Sequence, residues 1–138
     1  MKKISFLSLF ILFFSVVIIA QPQLTWEKTK GNLGTFKEEA GNQSTVFNFS
    51  NTGDQPLIIK SVKASCGCTS TSYSQESILP GEKGFVNVSF DPKNRPGAFS
   101  KTITVTSNTE RPTTILVIEG IVIPREKTVV DLYPREFG

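Results

Sequence analysis

The chain has 138 residues, two cysteines, no histidine and a formal charge of +3. The missing histidine removes the usual general base and the commonest metal ligand, and with them Ser-His-Asp and Cys-His catalysis. Two of the positive charges, Lys2 and Lys3, lie in the first twenty residues, so the rest of the chain carries only +1, too little for an electrostatic grip on nucleic acid.

The amino-terminal segment reads as an address and not as part of a fold. Lys2 and Lys3 precede an apolar run from Ile4 to Ile19, broken only by Ser5, Ser8 and Ser15, and Ala20 supplies a small residue for cleavage. That is the three-part pattern of a secretory signal peptide over residues 1–20. A retained membrane anchor is the competing reading. Against it, the run falls short of the roughly 20 apolar residues of a spanning helix, and no basic stop-transfer cluster follows. The expectation is an exported protein, periplasmic or extracellular, with no membrane span after cleavage. Removing residues 1–20 from 138 leaves 118, which suits one domain.

From Leu24 onward, short strands alternate with turn chemistry. Leu24–Thr29 alternates Leu24, Trp26 and Lys28 against Thr25 and Glu27; Gly31 to Gly34 breaks it, and Thr35–Lys37 reads as a brief continuation. Ser44–Asn51 places Phe47 and Phe49 on one face, and Asn51-Thr52-Gly53-Asp54 follows as a turn. Leu57–Ala64 is rich in β-branched residues, and its adjacent Ile58 and Ile59 call for a bulge or two-sided burial. Thr69–Tyr73 is extended. Phe85–Asp91 sets Val86, Val88 and Phe90 on one face, and a loop with Pro92 and Pro96 leads to the alternation of Phe99, Lys101, Ile103 and Val105. Ile115–Val122 is apolar on both faces apart from Glu119 and Gly120. Nothing after Ala20 repeats with the helical period. The pattern predicts an all-β, immunoglobulin-like antiparallel sandwich of about seven strands over residues 21–123, with a closed barrel as the alternative. Residues 124–138 form a charged tail containing Val129 and Val130, either an edge strand or a loose terminus.

The stretch from Phe47 to Gly120 carries a familiar series of motifs. They are Phe47-Asn48-Phe49-Ser50-Asn51-Thr52-Gly53-Asp54-Gln55-Pro56-Leu57, Ser65-Cys66-Gly67-Cys68-Thr69, Leu79-Pro80-Gly81-Glu82, Val88-Ser89-Phe90-Asp91, Gly97-Ala98-Phe99-Ser100-Lys101 and Ser107-Asn108. Together these resemble the bacterial family known as domain of unknown function 1573, grouped with immunoglobulin-like domains of the Hydin type and related in fold to major sperm protein. The two turn motifs are common among sandwiches. Cys-Gly-Cys-Thr between them is the specific element. The resemblance implies an exported sandwich with no assigned activity. The chain lacks the distant cysteine pair of antibody domains, and its only Trp, Trp26, lies in the first strand.

Cys66 and Cys68 are the chemically distinctive residues. An oxidising compartment favours a local disulfide between them, and residues i and i+2 of an extended segment face one side at a spacing near the upper end of disulfide geometry. Gly67 is expected to supply the unusual φ that closes so small a ring. Alternatively, two thiolates one residue apart suit Cu(I), whereas zinc would need two carboxylates as well. A third reading is redox exchange, although thioredoxin-like motifs place two residues between the cysteines at a helix start. A pair of plain buried thiols completes the set.

The remaining features read as structure. Asn42-Gln43-Ser44, Asn48-Phe49-Ser50 and Asn87-Val88-Ser89 match the glycosylation pattern, which carries no weight in a bacterial chain. Phe36, Phe47, Phe49, Phe85, Phe90 and Phe99 are expected in the core. Lys28, Lys30 and Lys37 among Glu38 and Glu39 read as a solvated face, as do Lys93 and Arg95 in their loop. The paired carboxylates Glu38 and Glu39 point apart if they lie on a strand.

The sequence therefore predicts no enzyme and no resident cofactor, with Cu(I) as the one candidate. It predicts a binding or scaffolding module for a cell-envelope protein. The alternative is a thiol-based metal or redox protein centred on Cys66 and Cys68. A purely structural spacer is a third reading, weakened by the lack of sister domains in this sequence.

Overall fold

The computed structural model describes residues 15–128 and Leu132. Eight strands follow in order: β1 (Leu24–Trp26), β2 (Lys30–Lys37), β3 (Gln43–Asn51), β4 (Ile59–Ala64), β5 (Thr69–Tyr73), β6 (Lys83–Phe90), β7 (Gly97–Ser107) and β8 (Thr113–Ile123), with a single 3-10 turn at Glu38–Ala40. They form two four-stranded sheets, ordered β1-β3-β6-β5 and β2-β8-β7-β4. The core lies between them. Among the described residues, no helix is long and apolar enough to cross a membrane. Most of the signal-like segment, residues 1–14, lies outside the described residues, as do Val129 and Val130 of the tail.

Alternation decides which side chains enter the core, because neighbours on a strand point to opposite faces. In β3, Phe47 and Phe49 are fully buried; in β6, Val86, Val88 and Phe90; in β7, Ile103 and Val105; in β8, Leu116, Ile118 and Val122. Trp26 meets Phe49 edge-on at 5.0 Å, and Phe90 stacks on Phe99 at 4.0 Å across the two sheets. Such rings contribute heavily: truncating a buried Phe to Ala costs about 3–5 kcal/mol. Phe85 departs from the expected core list. It is 43% exposed, since placing Val86, Val88 and Phe90 inside turns Phe85 outward.

The eighth strand is β2, where the glycines suggested a break. Five of the six pairings are antiparallel, whereas β2 runs parallel to β8, with Lys30 opposite Val117 and Lys37 opposite Ile123. The register shifts between Asn32 and Thr35. Gly34 occupies φ +77° there, and its N–H donates to Asn32 Oδ1 at 2.7 Å. The glycine thus forms an irregularity within the strand and does not end it. Gly31 is buried where a Cβ would press on Thr45 and the Phe47 ring. The irregularity expected around Ile58 and Ile59 is present, as a register shift between Ile59 and Ser61 where β4 pairs with β7.

One corner of the sandwich is organised by Asn51, which is fully buried. Its Nδ2 donates to the carbonyls of Gln55 at 2.7 Å and Ile78 at 2.9 Å, and its Oδ1 accepts from Gly53 N at 3.0 Å and Gln23 N at 3.4 Å. Both ends of the amide are satisfied, so its burial is affordable. The side chain links β1, the turn after β3 and the segment before β6.

Candidate functional site

Cys66, Gly67 and Cys68 form the crossover from β4 in one sheet to β5 in the other. Backbone pairing fixes both ends of it. Ser65 N donates to Thr102 O at 2.9 Å, while Thr102 N donates to Ser65 Oγ at 3.2 Å. Asp91 N donates to Cys68 O at 2.9 Å, and Thr69 pairs with Phe90. Cys66 and Cys68 are joined as a disulfide with Cα atoms 5.3 Å apart. That is shorter than two residues of extended chain, roughly 6.6 Å, because the segment bends. Thr69 N reaches back to Cys66 O at 3.4 Å.

Two expectations change here. The crossover is a turn and not an extended strand. Gly67 also lies outside the positive-φ region, and a Cβ there would meet nothing within 4 Å. Glycine is therefore not required by backbone conformation or by packing at this position; its effect is to leave the outer side of the bridge bare.

The two sulfurs are unequal. Cys68 is 7% exposed and belongs to the core, whereas Cys66 is half-buried. Thr69 Oγ1 lies 3.7 Å from Cys66 Sγ and 3.8 Å from Cys68 Sγ. The bridge borders an open groove of about 410 Å³, lined also by Phe90, Arg95, Phe99 and Lys101. Arg95 is engaged with its own loop, donating to the carbonyls of Lys93 at 2.8 Å and Asp91 at 3.3 Å, with the Asp91 carboxylate at 3.8 Å. While the sulfurs are bonded to each other, neither is a thiolate able to hold a metal. Among the described residues, no cluster of three or more Cys, Asp or Glu could hold an ion.

Glu38 is the other carboxylate with a defined task. Glu38 and Glu39 sit in the 3-10 turn and not on a strand. Glu38 Oε1 accepts from Asn94 N at 2.8 Å and Oε2 from Arg125 N at 3.0 Å. The Arg125 backbone bond, then the Asn94 bond, and the nearby Arg125 charge hold its carboxyl below the ordinary value of 4.5. It pins the β6–β7 loop and the residues after β8 to the end of β2. Lys28, Lys30, Lys37, Lys93 and Arg95 are all exposed, in keeping with solvated positions.

The sequence pointed to the cysteine pair but missed the contact of Thr69 with both sulfurs, although Thr69 belongs to the quoted Cys-Gly-Cys-Thr motif. It also missed an apolar row on the outer face of β8. Ile115, Ile121 and Ile123 are 48%, 49% and 45% exposed. The two-sided apolar pattern of Ile115–Val122 was the available signal.

Among solved structures, the fold is similar to a protein of unknown function from Porphyromonas gingivalis W83, at 16% identity and a TM-score of 0.65, over 78% of this chain and 50% of that one. The chain thus spans half the length of that protein. A family 123 glycoside hydrolase from Clostridium perfringens aligns at 8% identity and a TM-score of 0.57, over 78% of this chain and 28% of the hydrolase. The VesB protease of Vibrio cholerae aligns at 16% identity and a TM-score of 0.53, over 75% of this chain and 32% of the protease. Likeness at such identities concerns the fold alone. No curated protein matches the sequence. The profile of the family described as protein of unknown function (DUF1573) matches residues 24–122, and the chain belongs to that family.

Proposed function

We propose that this protein is a non-catalytic binding or scaffolding module, exported to the cell envelope, that recognises a protein partner through a sheet face. The observation that carries the reading is the outer row of β8. Strand residues 115, 117, 119, 121 and 123 share one face, and three of them are isoleucines left about half exposed. Beside them run the hydroxyls of Thr102 and Thr104 on β7, and on the other side lies β2, whose far edge is unpaired among the described residues. An apolar row, here interrupted by the exposed Glu119, with a polar rim suits a protein-recognition patch, and an open edge offers backbone groups for strand addition. Immobilised protein should retain a defined envelope protein, and Ile121→Lys should abolish that retention. Retention no greater than that of an unrelated immunoglobulin-like domain would sink the reading.

A second reading rests on the inequality of the two sulfurs. A partner thiolate would reach Cys66 Sγ from the groove, forming a mixed disulfide and expelling Cys68 as a thiolate that takes a proton from solvent. A second thiol of the same partner would then release Cys66, leaving the partner oxidised and Cys66 and Cys68 reduced. The reduced pair would also supply two sulfur ligands for Cu(I). Exchange with a dithiol peptide that survives in the Cys66→Ser, Cys68→Ser protein would rule this out.

A further inference from the structure

The turn Asn51–Asp54 receives the segment Gln21–Gln23 through four hydrogen bonds. Gln21 N donates to Asp54 Oδ1 at 2.8 Å, Asp54 N to Gln21 O at 3.2 Å, Thr52 N to Gln23 O at 3.0 Å and Gln23 N to Asn51 Oδ1 at 3.4 Å. The approach is so close that a Cβ on Gly53 would collide with Gln21 O, Gln23 N and Pro22 C. Upstream of this contact the character of the chain changes abruptly. Val16, Val17, Ile18 and Ile19 are 71%, 78%, 80% and 69% exposed, without secondary structure. Four consecutive aliphatic side chains held in water are unfavourable, and none of them belongs to the packed core. Among the described residues, Gln21 is thus the first that is hydrogen-bonded to the domain, one position after the small residue Ala20.

We propose that the Ala20–Gln21 bond is the processing junction and that Asp54 is the receptor for the amino terminus released there. The claim is independent of the partner-binding reading. Hydrolysis of the bond adds water, leaving a carboxylate on Ala20 and an ammonium on Gln21. The atom that donates to Asp54 as a neutral amide then does so as a cation, converting the contact into a charge-assisted bond. Glu110 and Arg111 line the same groove as Gln21, so charges of both signs border it. The pairing has a chemical consequence. An amino-terminal glutamine is lost when its free amine attacks its own side-chain amide, closing a lactam and expelling ammonia. An amine kept protonated by Asp54 is a poor nucleophile, so the clamp protects the new terminus.

The test is the intact mass of protein purified from the exported fraction, followed over days at neutral pH, beside Asp54→Asn. This variant keeps an oxygen acceptor for Gln21 and loses the charge; its melting curve confirms folding. The expected result is a chain beginning at Gln21 that retains its amine, while Asp54→Asn loses ammonia about 3-fold faster, the factor an exposed ion pair supplies. A different first residue, retention of residues 1–20, or equal rates of ammonia loss would each overturn the proposal.

Discussion

Two corners of the sandwich solve the same problem in opposite ways. At Asn51 the chain is held by one buried amide whose donors and acceptor are satisfied by the backbone of Gln23, Gly53, Gln55 and Ile78. At Cys66–Cys68 it is held by a covalent bond that spans a single residue and faces a groove on one side. The first corner cannot lose its side chain without stripping the partner from three part-buried backbone groups, those of Gln23, Gly53 and Gln55. The second is already fixed by backbone bonds from Ser65, Thr102 and Asp91, so its disulfide adds little that the fold requires. Of these two corners, the cysteine one carries bonding beyond what its backbone contacts require.

The contrast can be broken by measurement. Asn51→Ala leaves the carbonyl of Gln55 and the N–H groups of Gly53 and Gln23 without their partner, while the Ile78 carbonyl keeps Leu57 N, and should cost about 3 kcal/mol in urea unfolding. A loss under about 1 kcal/mol would mean that water replaces the amide and that the corner is less dry than its burial implies. The double substitution Cys66→Ser, Cys68→Ser should cost only about 1.5 kcal/mol, because so short a loop restrains the unfolded chain weakly. A loss larger than that of Asn51→Ala would reverse the ranking of the two corners.

Glu38 sharpens the comparison as a third fastening, made by one carboxylate that accepts two backbone N–H groups. Its carboxyl is held below 4.5 when folded, so the unfolded chain binds the proton more readily. The contribution is therefore fully present above about pH 4.5 and is lost as pH falls through the lower folded value. Glu38→Gln should lower stability modestly at neutral pH and converge with the wild type once Glu38 is protonated, flattening the acid limb, as followed by urea midpoints between about pH 2 and 7. Smallest of all is Ile121→Lys, which should change stability by no more than about 0.5 kcal/mol, since its side chain faces outward.

These differences track what was legible in the sequence. The two sheets were readable wherever one face of a strand is buried, as in Phe47 and Phe49 or Val86, Val88 and Phe90. Strand β2 was not, because Gly31 and Gly34 have the composition of a break; only the third dimension shows one accommodating Thr45 and Phe47 and the other an irregularity. Phe85 was assigned to the core by residue type although its own alternation turned it outward. The cysteine pair was visible from spacing, but the bend that brings the Cα atoms to 5.3 Å is set by contacts with β6 and β7, distant in sequence. Asn51 read as an ordinary turn residue, since burial of a polar side chain leaves no local trace.

The most direct test sets the outer face of β8 against the cysteine corner in one assay. Wild-type protein, Ile121→Lys and the Cys66→Ser, Cys68→Ser protein are each immobilised, and envelope proteins retained from the same extract are compared. The account predicts that a partner held by the wild type is also held by the cysteine-free protein and is lost with Ile121→Lys. A partner indifferent to Ile121→Lys but lost with the cysteines would contradict it and move the functional centre to Cys66 and Cys68.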